Sequence, residues 1–258
     1  MSPRSSIPMG NLALPPFTRG VKWILITSVG LSILVALSGQ MGSELERALA
    51  FTPEDLWLRG RIWQPFTYTL LHRSADGIIF AVLGLWLMGG SLEAMWGTRR
   101  FVTFYFATSA LAALATAVVG LALGDVARQS YFGNGPVLGG LAAAFAVLLP
   151  SATIFLIVLP IPARLLLPIS AGLTLLFMIF AARATGSLTR GIAAYLPHAF
   201  ALGAGVLFAG GVRTPRQLWL RVRVWWIDKR LRNRKLRVVR GEDETPGHGR
   251  SGSDKYLH

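Results

Sequence analysis

The chain contains no cysteine. That excludes a disulfide, a thiolate metal site and a cysteine nucleophile. Charge is also scarce: 15% of the 258 residues are Asp, Glu, Lys or Arg, against roughly a quarter in soluble domains. Histidine occurs four times, with no H-E-x-x-H or comparable spacing, so no metal site is read. Nor is any cofactor implied.

What is abundant is apolar residue, 53% of the chain, a composition suited to a bilayer. A span needs roughly 20 apolar residues. Six candidates follow: 22–40, 78–96, 101–123, 135–150, 163–182 and 195–212. The fourth is too short for a full bilayer. Either it extends through "SATIFLIVL", or it starts below the membrane surface behind an irregular "YFGNG". Irregular backbone at that depth is tolerated only inside protein or against a water-filled cavity. The expected fold class is therefore all-α membrane protein, a bundle of six transmembrane helices with a short fourth helix. The first apolar run shows no A-x-A site and is read as a retained span rather than a cleaved signal.

The net charge of +14 is concentrated locally. Between residues 213 and 240 lie eleven Lys or Arg and one acid, Asp228. Such a run can bind nucleic acid, but beside a span it reads as a flank facing anionic lipid, about 1 kcal/mol per basic residue. No nucleic-acid partner is expected. Basic flanks before span one, between spans two and three, before span five and after span six place both termini in the cytoplasm. The organisation expected is 1–20 cytoplasmic segment, 21–212 membrane domain, 213–240 basic juxtamembrane segment and 241–258 disordered tail. A bacterial inner membrane is the expected location.

Small residues mark helix contacts. Gly135 and Gly139 in span four, and Ala201 and Gly205 in span six, have the spacing of close backbone approach. Packing alone would account for most of these glycines.

Three stretches together carry a resemblance: "GRIWQPFTYTLLH" (60–72, with Trp63), "GLWLMGGSLEAMWGTRRFVTFYF" (84–106, with Gly89, Glu93 and Gly97) and "PHAFALGAG" (197–205, with His198 and Gly205). Over about residues 20–212 the chain resembles the rhomboid family of intramembrane serine peptidases. The resemblance implies a serine–histidine dyad. Its serine lies in a G-x-S-G stretch at the head of a short fourth helix. An asparagine, and usually a histidine, from the second helix stabilise the oxyanion. A hydroxyl becomes a useful nucleophile only when a neighbouring base takes its proton.

Laid on that pattern, "GNGPVLGG" (133–140) puts Gly133 at the first glycine, Gly135 at the serine and Pro136 at the next glycine, with Gly140 at a later one. Gly77 falls at the family histidine and Ala81 at the asparagine. Of the implied machinery only His198 remains, and Phe200 stands where the family carries a small residue packed on helix four. Ser130, Ser151 and Ser170 lack the spacing from His198 that the family uses. His72 reads as a hydrogen-bonding loop residue, and Glu93 as a cap of the inner loop or a partner of Arg99 or Arg100.

Two functions of different class remain open. One is a non-catalytic rhomboid-like protein that binds transmembrane segments or lipid. The other is an active serine endopeptidase with an unrecognised nucleophile. Residues 77, 81 and 135 favour the first. A small transporter finds little support, because the spans bury almost no ionisable groups.

Overall fold

In the computed structural model, residues 17–156 and 159–210 are described. The chain divides into two units, residues 1–212 and 213–258; the second, with the basic run 213–240 and the tail 241–258, lies outside the described residues.

Five helical segments are long and apolar enough to cross a membrane. They are α1 (Arg19–Leu37), the run Ala75–Trp96, α7 (Thr98–Gly120), the run Ala163–Thr185 and Leu188–Ala209. The six transmembrane helices expected from the sequence are thus corrected to five long ones and a shorter apolar helix, Gly135–Leu148. At 1.5 Å per residue its 14 residues rise about 21 Å, less than the ~30 Å hydrocarbon layer. It does not extend through "SATIFLIVL": Pro150 follows its end, and the chain turns into a hairpin instead. The strands β1 (Thr153–Leu156) and β2 (Leu159–Pro162) pair antiparallel, with Thr153 opposite Pro162 and Leu156 opposite Leu159. The all-α reading is corrected by this hairpin.

The segment between the first two long helices is itself helical: α2 (Gly39–Leu49), α3 (Pro53–Arg59) and α4 (Gln64–Thr67), then a 3₁₀ turn Tyr68–Leu70. It is pinned by Gln64, which is buried. Its Oε1 accepts from the Thr52 N–H at 3.3 Å, and its Nε2 donates to the Arg47 carbonyl at 3.3 Å. Trp63 donates from Nε1 to the Ala48 carbonyl at 2.8 Å. The second long run comprises α5 (Ala75–Gly84), a π-helical turn (Leu85–Gly89) and α6 (Gly90–Trp96). After α7 come the short α8 (Gly124–Ala127), α9 (Gly135–Leu148), α10 (Leu166–Thr185) and α11 (Leu188–Ala209).

The motif Gly89–Glu93–Gly97 has a separate physical reason at each position. A Cβ on Gly89 would meet Phe101 at 3.0 Å and Val21 at 3.1 Å. Gly97 adopts φ 80°, which disfavours any side chain, and lets α6 turn into α7. Glu93 is buried and accepts four hydrogen bonds: from the Gly20 N–H at 2.8 Å, the Val21 N–H at 2.9 Å, and the hydroxyls of Thr18 and Thr98. A helix N-terminus leaves N–H groups without partners, and no acid lies in the first turn of α1. Glu93 supplies the acceptor from across the bundle. Of the two roles expected, Glu93 holds the inner corner through Thr98; it forms no ion pair with Arg99 or Arg100 among the described residues, and its other bonds clamp α1.

Phe208 near the end of α11 packs on Trp96 and Phe104, with ring centroids 5.9 and 4.9 Å apart. The start of α1 and the end of α11 therefore lie at one end of the molecule, beside the α6–α7 corner. The main core runs through Val21, Leu85, Leu92, Phe101, Phe104, Tyr105, Val137 and Leu141, all fully buried.

Candidate functional site

Three segments converge at the head of α9. The loop before it is tied to the first loop by a two-way backbone pair between Phe51 and Tyr131, 2.9 and 2.7 Å, and by the Gly133 N–H donating to the Tyr68 carbonyl at 2.9 Å. Gly133 has φ 85°, which directs the chain into the helix at Asn134, Gly135 and Pro136. Gly135 and Val137 carry N–H groups in the first turn; Pro136 between them carries none.

Helix α11 packs along α9 at backbone distance. A Cβ on Gly205 would stand 2.2 Å from the Gly140 carbonyl oxygen, and one on Gly140 would stand 2.9 Å from the Ala201 carbonyl oxygen. The close pair expected at Gly139 is displaced by one residue: Gly139 faces the Leu202 side chain at 3.6 Å. The small residues packed on α9 are Ala201 and Gly205, so Phe200, half-buried, is not the residue at the contact.

This packing sets His198 against Gly135. A Cβ built on Gly135 would be 2.7 Å from His198 Nε2. Position 135 carries no side-chain oxygen, and the imidazole occupies the space a side chain there would use. His198 Nδ1 is buried without a partner among the described residues. Tyr195, one turn earlier, lies with its ring 5.2 Å from the imidazole and stacks on Phe177 at 5.5 Å.

Pro197 sits inside α11, one residue before His198. Proline removes the N–H that would bond the carbonyl four residues back. That carbonyl, Ala193 O, accepts instead from the Tyr131 hydroxyl at 2.8 Å. A loop residue thus repairs the helix that presents His198.

Gly77 lies in the first turn of α5, where its N–H donates to Ser74 Oγ at 3.4 Å. Ala81 is buried. Beside them stands a polar pair that sequence reasoning did not assemble. His72 Nε2 donates to Asn134 Oδ1 at 3.2 Å, and both residues are buried. A Cβ on Gly77 would be 3.7 Å from His72 Cδ2. The His72 ring therefore leans over Gly77. Its backbone N–H is held by Ser32 Oγ at 2.9 Å. Burial lowers the His72 pKa from its ordinary 6.5, against the opposing hydrogen bond to Asn134. The available signal was residue type: a histidine stands five residues before Gly77 and an asparagine immediately before Gly135. Their meeting is a contact over 62 residues of sequence.

Ser151 lies in an exposed turn, Ser130 in the loop before α9 and Ser170 in α10. Among the described residues no group of three or more His, Asp or Glu could hold a metal ion.

A family described as eukaryotic integral membrane protein (DUF1751) matches residues 22–204. Rhomboid-like protein 19 of Arabidopsis thaliana is 29% identical over 141 residues, covering 52% of this chain and 43% of that protein. Rhomboid protease GlpG of Salmonella choleraesuis (strain SC-B67) is 26% identical over 129 residues, covering 50% of this chain and 41% of the relative. The chain spans about two fifths of the length of these curated relatives. The family match covers most of the chain, and the relatives are rhomboid proteins: this is a multi-pass integral membrane protein that belongs to the DUF1751 family and is distantly homologous to the rhomboids.

Proposed function

We propose that this protein is a rhomboid-like membrane protein without peptidase activity, which holds transmembrane segments or lipids. One observation carries the reading: the residue facing His198 Nε2 is glycine, which has no side chain to act as a nucleophile. Acyl transfer needs an activated nucleophile, and position 135 offers none. Gly77 and Ala81 have no side-chain donors for an oxyanion. The relatives, a rhomboid protease and a rhomboid-like protein, supply the comparison, and the residues at 77, 81 and 135 supply the difference. A surface for transmembrane clients is available on α10, whose apolar span is only 6% buried in the bundle.

The same reading places the shared end of α1 and α11 in the cytoplasm, since the basic run 213–240 follows α11 directly. It makes that run a flank on anionic lipid. The reading takes a bacterial inner membrane as the location; the Salmonella relatives are bacterial, while the family description is eukaryotic and another relative is from Arabidopsis thaliana. Single cysteines introduced into this cysteine-free chain near Arg99, and labelled by an impermeant maleimide in oriented vesicles, test the orientation.

Activity is tested with a serine-reactive fluorophosphonate and with cleavage of a generic transmembrane substrate in liposomes. The unmodified chain should neither be labelled nor cut. Gly135→Ser alone should stay at background: a missing oxyanion donor costs about 2.7–4 kcal/mol, and Pro136 withholds a further N–H. Cleavage by the unmodified chain that vanishes in His198→Ala would overturn the reading.

A further inference from the structure

Beside the first two spans lies a cleft unrelated to His198. It is lined by Phe17, Lys22, Leu25, Ile26, Val29 and Val82 and has a volume of about 500 Å³. Residues 22, 25, 26 and 29 share one face of α1, and Val82 of α5 forms the opposite wall. Apart from Lys22 the lining is apolar. Lys22 stands at the end of the cleft nearest the start of α1, the end where Glu93 is buried.

We propose that this cleft holds one acyl chain of an anionic phospholipid, whose phosphate lies on the Lys22 ammonium. Three observations select that occupant. Lys22 is exposed and forms no ion pair among the described residues, as is true of Arg19 one turn away. The nearest buried acid does not neutralise it: Glu93 is engaged by the Gly20 and Val21 N–H groups and by the Thr18 and Thr98 hydroxyls. The third observation is the lining. From Lys22 to Val29 the helix rises about 10 Å, and along that length the groove offers only apolar side chains beyond the lysine, which suits a hydrocarbon chain. A basic group at the mouth of an apolar cleft between membrane helices is a headgroup site, and the lysine stem can lie along the apolar wall with its ammonium at the interface.

The inference rests on the membrane setting alone and holds whether or not the chain cuts substrates. The test uses the full chain in nanodiscs doped with phosphatidylglycerol carrying a photoreactive acyl chain, with crosslinked peptides mapped by mass spectrometry. Labelling is expected at residues 25–29 and 82, competed by unlabelled phosphatidylglycerol and not by phosphatidylcholine of the same chains. Lys22→Gln should reduce labelling there about fivefold, leaving labelling of α10 unchanged. Val29→Trp, which fills the cleft from its open side, should reduce it as well. Equal labelling in Lys22→Gln and the parent chain, or equal competition by the two lipids, would overturn the proposal.

Discussion

The imidazole of His198 rests on the backbone of Gly135, so that a methyl group added there would be 2.7 Å from Nε2. Real Cβ atoms do not approach that closely, and the ring must give way to any side chain. The two positions are coupled by space rather than by a hydrogen bond. Gly135→Ala should therefore destabilise the fold by about 1–3 kcal/mol, the usual range for overpacking. In the His198→Ala background the same substitution should cost distinctly less. Thermal unfolding of the two single variants and the double variant closes the cycle; strictly additive losses would mean that the ring does not occupy this space.

Gly205 and Gly203 lie two residues apart on α11 and should respond in opposite directions. A Cβ at 205 meets the Gly140 carbonyl at 2.2 Å, against rigid backbone, whereas a Cβ at 203 meets nothing within 4 Å. Gly205→Ala should push α11 off α9 and cost at least about 1–3 kcal/mol. Gly203→Ala should be neutral or gain up to about 1 kcal/mol through helix propensity. Melting temperatures in one detergent decide this, and a comparable loss in both variants would count against the packing register.

Glu93→Gln keeps the shape of the side chain and removes its charge and one acceptor oxygen. An amide NH₂ would then face the N–H groups of Gly20 and Val21 or the hydroxyls of Thr18 and Thr98. Leaving a buried donor unsatisfied costs about 1–3 kcal/mol. We expect a loss of that size, with early hydrogen exchange at the start of α1. Unchanged protection at Gly20 and Val21 would show that Glu93 is not the cap.

Burial holds the His72 pKa below its unfolded value near 6.5. Below pH 6.5 the unfolded chain binds more protons at this residue than the folded one. Stability should thus fall as pH drops from 6.5, and level off beneath the folded-state pKa. His72→Gln should flatten this part of the stability profile between pH 7 and 5. A slope that survives the substitution would assign the effect to another group.

The apolar spans were legible because hydropathy is a local sum, and no distant contact is needed to see twenty apolar residues in a row. The glycine at 135 was legible because the distance from "GNGPVLGG" to "PHAFALGAG" can be read against a family pattern, residue by residue. Gly97 belongs to the same class, since a sharp turn between two helices demands a residue free to take positive φ. Other features depended on which backbone lies opposite. "TIFL" is as apolar as a helix and became a strand because Leu159–Pro162 pairs with it. Glu93 had arginines six and seven residues away, yet it bonds the start of α1, where N–H groups without partners were available. Gly140 rather than Gly139 meets α11, since the crossing of two helices sets the register and a shift of one residue turns a side chain by about a hundred degrees. His72 and Asn134 meet because the first loop and the loop before α9 are joined through Phe51, Tyr68 and Tyr131. The sequence by itself determined the membrane setting and the absent side-chain oxygen at residue 135, which are properties of composition and residue identity. Only the tertiary structure decided what fills the space around His198, because that depends on backbone-to-backbone distances between segments far apart in the chain.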